Sequence, residues 1–165
     1  MSTTIRPWRP VDGAAVTELI LPIQRQEFGI AITLADQPDL LDVPGFYLGG
    51  RGGFWVAEGG GRVVGTIALK DIGGGDAALR KMFVAAEFRG AGAGVARGLL
   101  AALLAHARRA GLERIWLGTT GKFLAAHRFY EKHGFTAVDA ATLPAAFPRM
   151  AVDTRFYRLD LADVR

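Results

Sequence analysis

Between Phe54 and Thr119 the hydrophobic period of the chain changes twice, and no other feature restricts the fold as much. Phe54-Trp55-Val56-Ala57-Glu58, Arg62 to Asp71 and Ala77 to Val84 read as strands, rich in β-branched and aromatic residues and separated by glycine turns at 59–61 and 73–75. Three strands joined in this way form an antiparallel meander. Gly65 lies inside the second of them, and a glycine there predicts a bulge or the close approach of another backbone. From Gly92 to Ala110 the period becomes helical, with Val95, Leu99, Leu100, Leu103, Leu104 and Ala107 on one face. Arg108, Arg109 and Gly111 close that helix with positive charge and a cap. Arg114 to Thr119 returns to strand. A strand–helix–strand succession crosses over right-handedly, so strands 77–84 and 114–119 run parallel and the sheet is mixed.

The flanking segments complete an α/β reading. Thr3 to Arg9 is an opening strand. Asp12 caps a helix running to about Phe28, whose stripe is Val16, Leu19, Ile20 and Ile23 and whose kink is expected at Pro22. Gly29 to Gly53 reads as a loop with a short helix around Asp39. Leu124 to His133 is a helix ended by Gly134, and Phe135 to Val138 and Arg155 to Leu161 are closing strands. With 165 residues, half of them hydrophobic and 22% charged, residues 1–165 are expected to form one domain with its own core.

Composition removes several classes of function. No apolar run approaches the ~18 residues of a membrane span, and the first residues hold no apolar signal core, so no membrane partner and a cytoplasmic location are expected. There is no cysteine, which excludes disulfides, thiolate metal sites and cysteine nucleophiles. His106, His127 and His133 lack any metal-ligand spacing, so no metal is expected. The net charge is +4, but the basic residues are scattered along the chain, which argues against a nucleic-acid partner and leaves room for a small polyanion.

Such an anion has a natural seat. Arg89-Gly90-Ala91-Gly92-Ala93-Gly94-Val95-Ala96 lies between a strand and a helix, where glycines let backbone amides converge at the positive helix end. A diphosphate fits that seat. The dinucleotide pattern G-x-G-x-x-G fails at Val95, and the P-loop pattern fails because Phe123 follows Gly121-Lys122.

The run Met82-Phe83-Val84-Ala85-Ala86-Glu87-Phe88-Arg89-Gly90-Ala91-Gly92-Ala93-Gly94 contains R-x-x-G-x-G, and Ala126-His127-Arg128-Phe129-Tyr130-Glu131-Lys132-His133-Gly134-Phe135 contains A-x-x-F-Y-x-x-x-G-F. In order and spacing the two blocks resemble the GNAT superfamily of N-acetyltransferases. The resemblance implies a GNAT-like fold: a mixed, mostly antiparallel sheet with a splayed parallel strand pair, flanked by helices. It also implies acetyl-CoA as co-substrate, with the amides of Gly90, Ala91, Gly92, Ala93, Gly94, Val95 and Ala96 on its pyrophosphate and Arg89 adding charge. Met82 and Val84 would pair with the pantetheine arm in a gap facing Leu117 to Thr119. An amide near Phe83 or Val84 would hold the oxyanion, and Tyr130 would protonate the departing thiolate.

Some positions depart from the family's pattern. Ala86 stands where proline is common, Ala93 where a β-branched residue is, and Phe123 where asparagine is. The family's glutamate would fall at Ala78, which leaves the catalytic base to Glu27, Glu58, Asp71, Asp76 or His127, with Glu27 favoured because it sits where the acceptor pocket is built. The acceptor is a small-molecule or protein amine, attacked directly in a ternary complex since no cysteine can carry an acyl group. Family members often dimerise, which allows a homodimer.

Plainer readings stand beside these. Tyr130 could be a core aromatic, Arg89 and Lys132 solvated charges, and Asp36, Asp39 and Asp42 plain loop residues. Phe28, Phe46, Tyr47 and Trp55 could line an acceptor pocket or pack in the core. The whole chain could be a non-catalytic acyl-CoA-binding sensor.

Overall fold

The computed structural model describes residues 2–90, 94–121 and 123–163. The strands are β1 (Thr3–Pro7), β2 (Gly53–Gly59), β3 (Arg62–Gly73), β4 (Asp76–Val84), β5 (Arg114–Thr119), β6 (Thr136–Val138) and β7 (Arg155–Asp160). They form one sheet in the order β1-β2-β3-β4-β5-β7-β6. β4 and β5 are parallel, and every other neighbouring pair is antiparallel. This is the mixed α/β arrangement that the hydrophobic periods imply, and the mostly antiparallel sheet that the resemblance implies.

Both faces of the sheet are covered. α4 (Val95–Arg109) lays Leu99, Leu100, Leu103 and Ala107 on one face, against Trp55, Ala57, Ile67, Leu69 and Ile115. On the opposite face α1 (Gly13–Pro22), α2 (Pro38–Leu41) and α3 (Val43–Tyr47) bring Val16, Ile20, Leu40 and Tyr47 onto Phe54, Val56 and Ala68. Alternate residues of β2 and β3 thus serve opposite cores, as the two-residue period of a strand requires. α5 (Leu124–Lys132) supports the far end of the sheet.

Some boundaries differ from the sequence pattern. α1 stops at Pro22, and residues 23–27 form a π turn in which the Phe28 amide donates to the Ile23 carbonyl at 3.2 Å. Proline has no N–H to return to the preceding turn, and the wider turn absorbs that break. The 29–53 segment holds two short helices rather than one, the second capped by Asp42, which accepts from the Gly45 amide at 3.1 Å. β1 ends at Pro7, and Pro10 opens a 3-10 turn.

The parting of β4 and β5 is what positions the site. The two strands pair at Asp76–Arg114, Ala77–Ile115 and Ala78–Trp116 and at no later residue. Beyond that point Thr66 faces Phe83 while Ala68 faces Arg80, so β3 has one residue where β4 has two, Lys81 and Met82. Lys81 takes a left-handed backbone conformation, φ +53°, and its carbonyl accepts the Thr66 hydroxyl at 2.7 Å. This bulge bends β4 away, while β5 keeps its ladder with β7 through Thr119.

Gly65 marks the expected bulge, and what approaches it closely is the side chains of α4 in place of a backbone. The register slips beside it, with Ala57 opposite Gly65 and Glu58 opposite Val63. A Cβ on Gly65 would lie 3.0 Å from Leu99 Cδ1 and 3.1 Å from Val95 Cγ1. Gly65→Val therefore forces α4 off the sheet; the expected cost is about 1–3 kcal/mol, read as a lower urea midpoint.

Candidate active site

Two cavities meet where the strands part. Met82, Phe83, Phe123, Ala126 and Tyr130 line both. The larger, about 480 Å³, runs past Val84, Arg89, Gly90, Gly94 and Ala96 to the start of α4. The smaller, about 120 Å³, lies on the other side of the junction, with Gln24, Arg80, Lys81, Gly118, Thr119 and Asp153 in its wall.

The larger cavity ends on a helix N-terminus without a capping side chain. Gly94 occupies the cap position at φ +68°, and no side chain among the described residues bonds the first-turn amides. Those amides have no intrahelical partner and carry the positive end of a fifteen-residue dipole. Gly90 has φ +102° and nothing within 4 Å of where a Cβ would stand, so the approach is open. The Val95 side chain is buried in the α4 core, which leaves its backbone to serve the cavity. Ala91, Gly92 and Ala93, expected in the same cradle, lie outside the described residues.

Arg89 lines this cavity and is not a free cation. Its Nε donates to the Val84 carbonyl at 2.8 Å, and its two terminal nitrogens hold Glu27 at 2.6 and 3.0 Å. Glu27 therefore serves as a partner of Arg89 and lines neither cavity. Phe123 packs edge-on against Phe28, ring centroids 4.3 Å apart, and both line the larger cavity. An asparagine side chain is thus replaced by an aromatic wall. Phe46 packs against the second core, and Tyr47 and Trp55 are core residues.

Tyr130 stands at the junction. It is 6% exposed, and its hydroxyl points at the Met82 sulfur, 3.7 Å away. Burial pushes its phenol well above the ordinary tyrosine value, with Tyr157 reinforcing the shift. It stays protonated across the physiological range and can donate a hydrogen bond to a charge developing beside it.

The other base candidates have structural partners. Glu58 pairs with Arg6 and Arg9. Asp71 accepts the Gly73 and Arg51 amides at 2.9 and 3.0 Å. Asp76 binds Arg114 at 2.7 Å and the Trp116 indole at 3.1 Å. His127 is 4% exposed, with Nε2 on the Thr120 carbonyl at 2.9 Å. None of the four lines either cavity.

The smaller cavity holds charges that the sequence reading left unassigned: Arg80, Lys81 and Asp153. The Lys81 side chain is 3% exposed; its Nζ donates to Gln37 Oε1 at 2.6 Å and lies 3.6 Å from Asp39 Oδ2. Gln37 and Gln24 exchange amide hydrogen bonds at 2.9 Å, and the Tyr47 hydroxyl donates to Asp39. Asp39 is therefore the buried counter-ion of the β4 bulge rather than a loop residue. Burial pulls the Lys81 ammonium down to about 8, with Asp39 resisting.

The family described as "Acetyltransferase (GNAT) family" matches residues 18–135. The chain belongs to that family. An acetyltransferase of the GNAT family from Staphylococcus aureus Mu50 superposes with a TM-score of 0.93 at 35% identity, over 97% of this chain and 99% of that one. N-acetylaspartate synthetase of Danio rerio is 32% identical over 77% of this chain and 46% of its own length. N-acetyltransferase family 8 member 2 of Rattus norvegicus is 34% identical over 60% of this chain and 45% of its own. The chain spans about half the length of these two curated relatives. In this GNAT chain, Ala78 is 0% exposed and sits inside the paired part of β4 and β5, opposite Trp116.

Lys81 gives the fold a pH signature. The unfolded chain holds this proton to about pH 10.4, and the folded chain releases it near 8. Between those values the unfolded state binds more protons, so the stability contributed by Lys81 rises with pH. Lys81→Met should flatten that rise by on the order of 2 kcal/mol between about pH 8 and 10. Urea denaturation of both proteins across this range measures the difference.

Proposed function

We propose that the chain transfers an acetyl group from acetyl-CoA to a primary amine by direct attack in a ternary complex. The observation that carries this reading is the meeting of the two cavities at Met82, Phe83 and Tyr130, where β4 and β5 separate. Acetyl-CoA supplies the acyl group as a thioester. A thioester entering from the larger side and an amine entering from the smaller side would meet there without a covalent acyl-enzyme.

The residues present suit such a donor. The uncapped start of α4, with Gly90 and Gly94 beside it, favours a diphosphate. In our reading the amides of residues 90–96 supply that grip, and Arg89 adds charge while Glu27 keeps its guanidinium oriented. The edge of β4 that β5 leaves free at Met82 to Val84 can hold an extended arm as a neighbouring strand would. An amide at Phe83 or Val84 can stabilise an oxyanion there. Tyr130 donates to the departing thiolate; its raised pKa makes it a hydrogen-bond donor in place of a full acid.

The acceptor in this reading is a small molecule. The smaller cavity is about 120 Å³ and is walled by Phe147, Pro148, Met150 and Val152 as well as the sheet, so it suits a molecule of amino-acid size better than a folded protein surface. One of the relatives is named for an N-acetylated amino acid, which agrees with that size.

Acetyl-CoA at about 100 times its dissociation constant should add about 2.7 kcal/mol of stability in a thermal-shift assay. Thiol release with an amine then separates an enzyme from an acyl-CoA sensor, since a sensor binds without turnover. Tyr130→Phe should lower turnover by about 10-fold or more and leave the acetyl-CoA shift unchanged. Equal turnover at neutral pH would remove Tyr130 from the chemistry.

A further inference from the structure

We infer that Asp153 is the group that takes the proton from the acceptor amine, and that Gly118 is the clearance that lets it do so. The inference deepens the acetyl-transfer reading and rests on it.

The geometry begins with a glycine in a strand. Gly118 lies in β5 between Leu117 and Thr119, on the side of the gap that β4 leaves open. A Cβ there would stand 2.7 Å from Asp153 Oδ2, closer than any side chain tolerates. The carboxylate therefore lies directly over the β5 backbone at the gap. Met150, Asp153 and Thr154 fasten it: the Met150 amide donates to Asp153 Oδ2 at 2.9 Å, the Asp153 amide to the Met150 carbonyl at 3.0 Å, and the Thr154 amide to the Thr119 carbonyl at 2.9 Å. Asp153 lines the smaller cavity together with Met82 and Tyr130, so it shares a compartment with the residues at the meeting point.

The surroundings suit a base. Glu27, Glu58, Asp71, Asp76 and His127 line neither cavity, whereas Asp153 is a carboxylate in the acceptor wall. Its burial lifts its pKa above the usual carboxylate value, against the Met150 amide and the positive charges of Arg80 and Lys81 on β4 and Arg149 on its own loop. A carboxylate raised in this way binds a proton more readily than a solvated one.

The protons balance as follows. The acceptor arrives as an ammonium, since an amine of pKa about 10.4 is almost entirely protonated at pH 7. Asp153 takes one proton and later returns it to solvent. The freed nitrogen forms the N–C bond to the thioester carbonyl, the C–S bond breaks, and the second nitrogen proton ends on the sulfur beside Tyr130. The products are the amide, the CoA thiol and one released proton.

The test uses the intact chain, acetyl-CoA, and an acceptor chosen from amino acids, spermidine, kanamycin and a lysine-bearing peptide by thiol release. Asp153→Asn keeps an oxygen for the Met150 amide and removes the basic charge, so the loop should hold. Its kcat/KM should fall on the order of 100-fold near pH 7, and the deficit should shrink as pH approaches the amine's own pKa. The acetyl-CoA thermal shift should stay at its wild-type value. Gly118→Ala, which displaces the carboxylate without removing it, should reproduce the same pH-dependent loss. An Asp153→Asn protein with the wild-type rate and pH profile overturns the role of Asp153 alone. A uniform loss at every pH also overturns it, since that is the mark of a structural residue. Wild-type protein that binds acetyl-CoA yet releases no thiol with any acceptor overturns acetyl transfer itself, and the role of Asp153 with it.

Discussion

The ladder between β4 and β5 stops after three residue pairs, and the rest of the site follows from that stop. Two parallel strands with matched apolar residues would normally zip to their ends. Here one extra residue in β4, with Lys81 in a left-handed conformation, turns the strand aside. A non-glycine residue at positive φ costs on the order of 1 kcal/mol or more and persists when its surroundings hold it. They do so at both ends of Lys81: its carbonyl takes the Thr66 hydroxyl, and its ammonium is buried against Gln37 and Asp39. The buried charge is thus part of the hinge that opens the sheet. Removing it would leave the buried Asp39 carboxylate, among the described residues, with only the Tyr47 hydroxyl and the Arg80 guanidinium, 3.9 Å away.

The opening divides the chemistry in two. On the larger side the walls are mostly apolar, and positive charge comes from the start of α4 together with Arg89, Arg97, Arg128 and Lys132. On the smaller side the walls carry charge of both signs, from Arg80, Lys81 and Asp153. Tyr130 lies on the boundary, lining both sides.

Much of this was legible in the sequence. The change of period from 2 to 3.6 and back gave the meander, α4 and the parallel β5, because burial on one face writes itself into spacing. The two blocks around Arg89 and Tyr130 carried the family resemblance, since glycines at a helix start leave a local signature. Other features were not legible, for reasons that differ. The π turn after Pro22 replaces a helix that the apolar stripe alone would continue, because the stripe reports burial and not hydrogen-bond register. Asp39 reads as a polar loop residue because its partner Lys81 is far away in the chain and its burial is entirely tertiary. Glu27 is near enough to the site to be proposed as a base, yet its carboxylate is occupied by Arg89, a pairing that spacing does not encode.

Gly65 and Gly118 show what such a signal can and cannot say. Both are glycines inside strands, and both mark a close approach from outside the strand. At Gly65 the visitor is a helix, and the neighbouring leucines and valines of α4 announce it in their own spacing. At Gly118 the visitors are the Asp153 carboxylate, on an aperiodic loop, and the edge of the Phe156 ring on β7, and nothing in the loop's pattern announces the carboxylate. A strand glycine that no amphipathic helix accounts for is therefore the more informative of the two. It states that a polar group or a ligand must come down onto the backbone there, and the remaining question is which acidic or basic residue of the irregular segments can reach it. In this chain the answer is Asp153, and β5 has a glycine at the gap because the carboxylate needs the space that a side chain would fill.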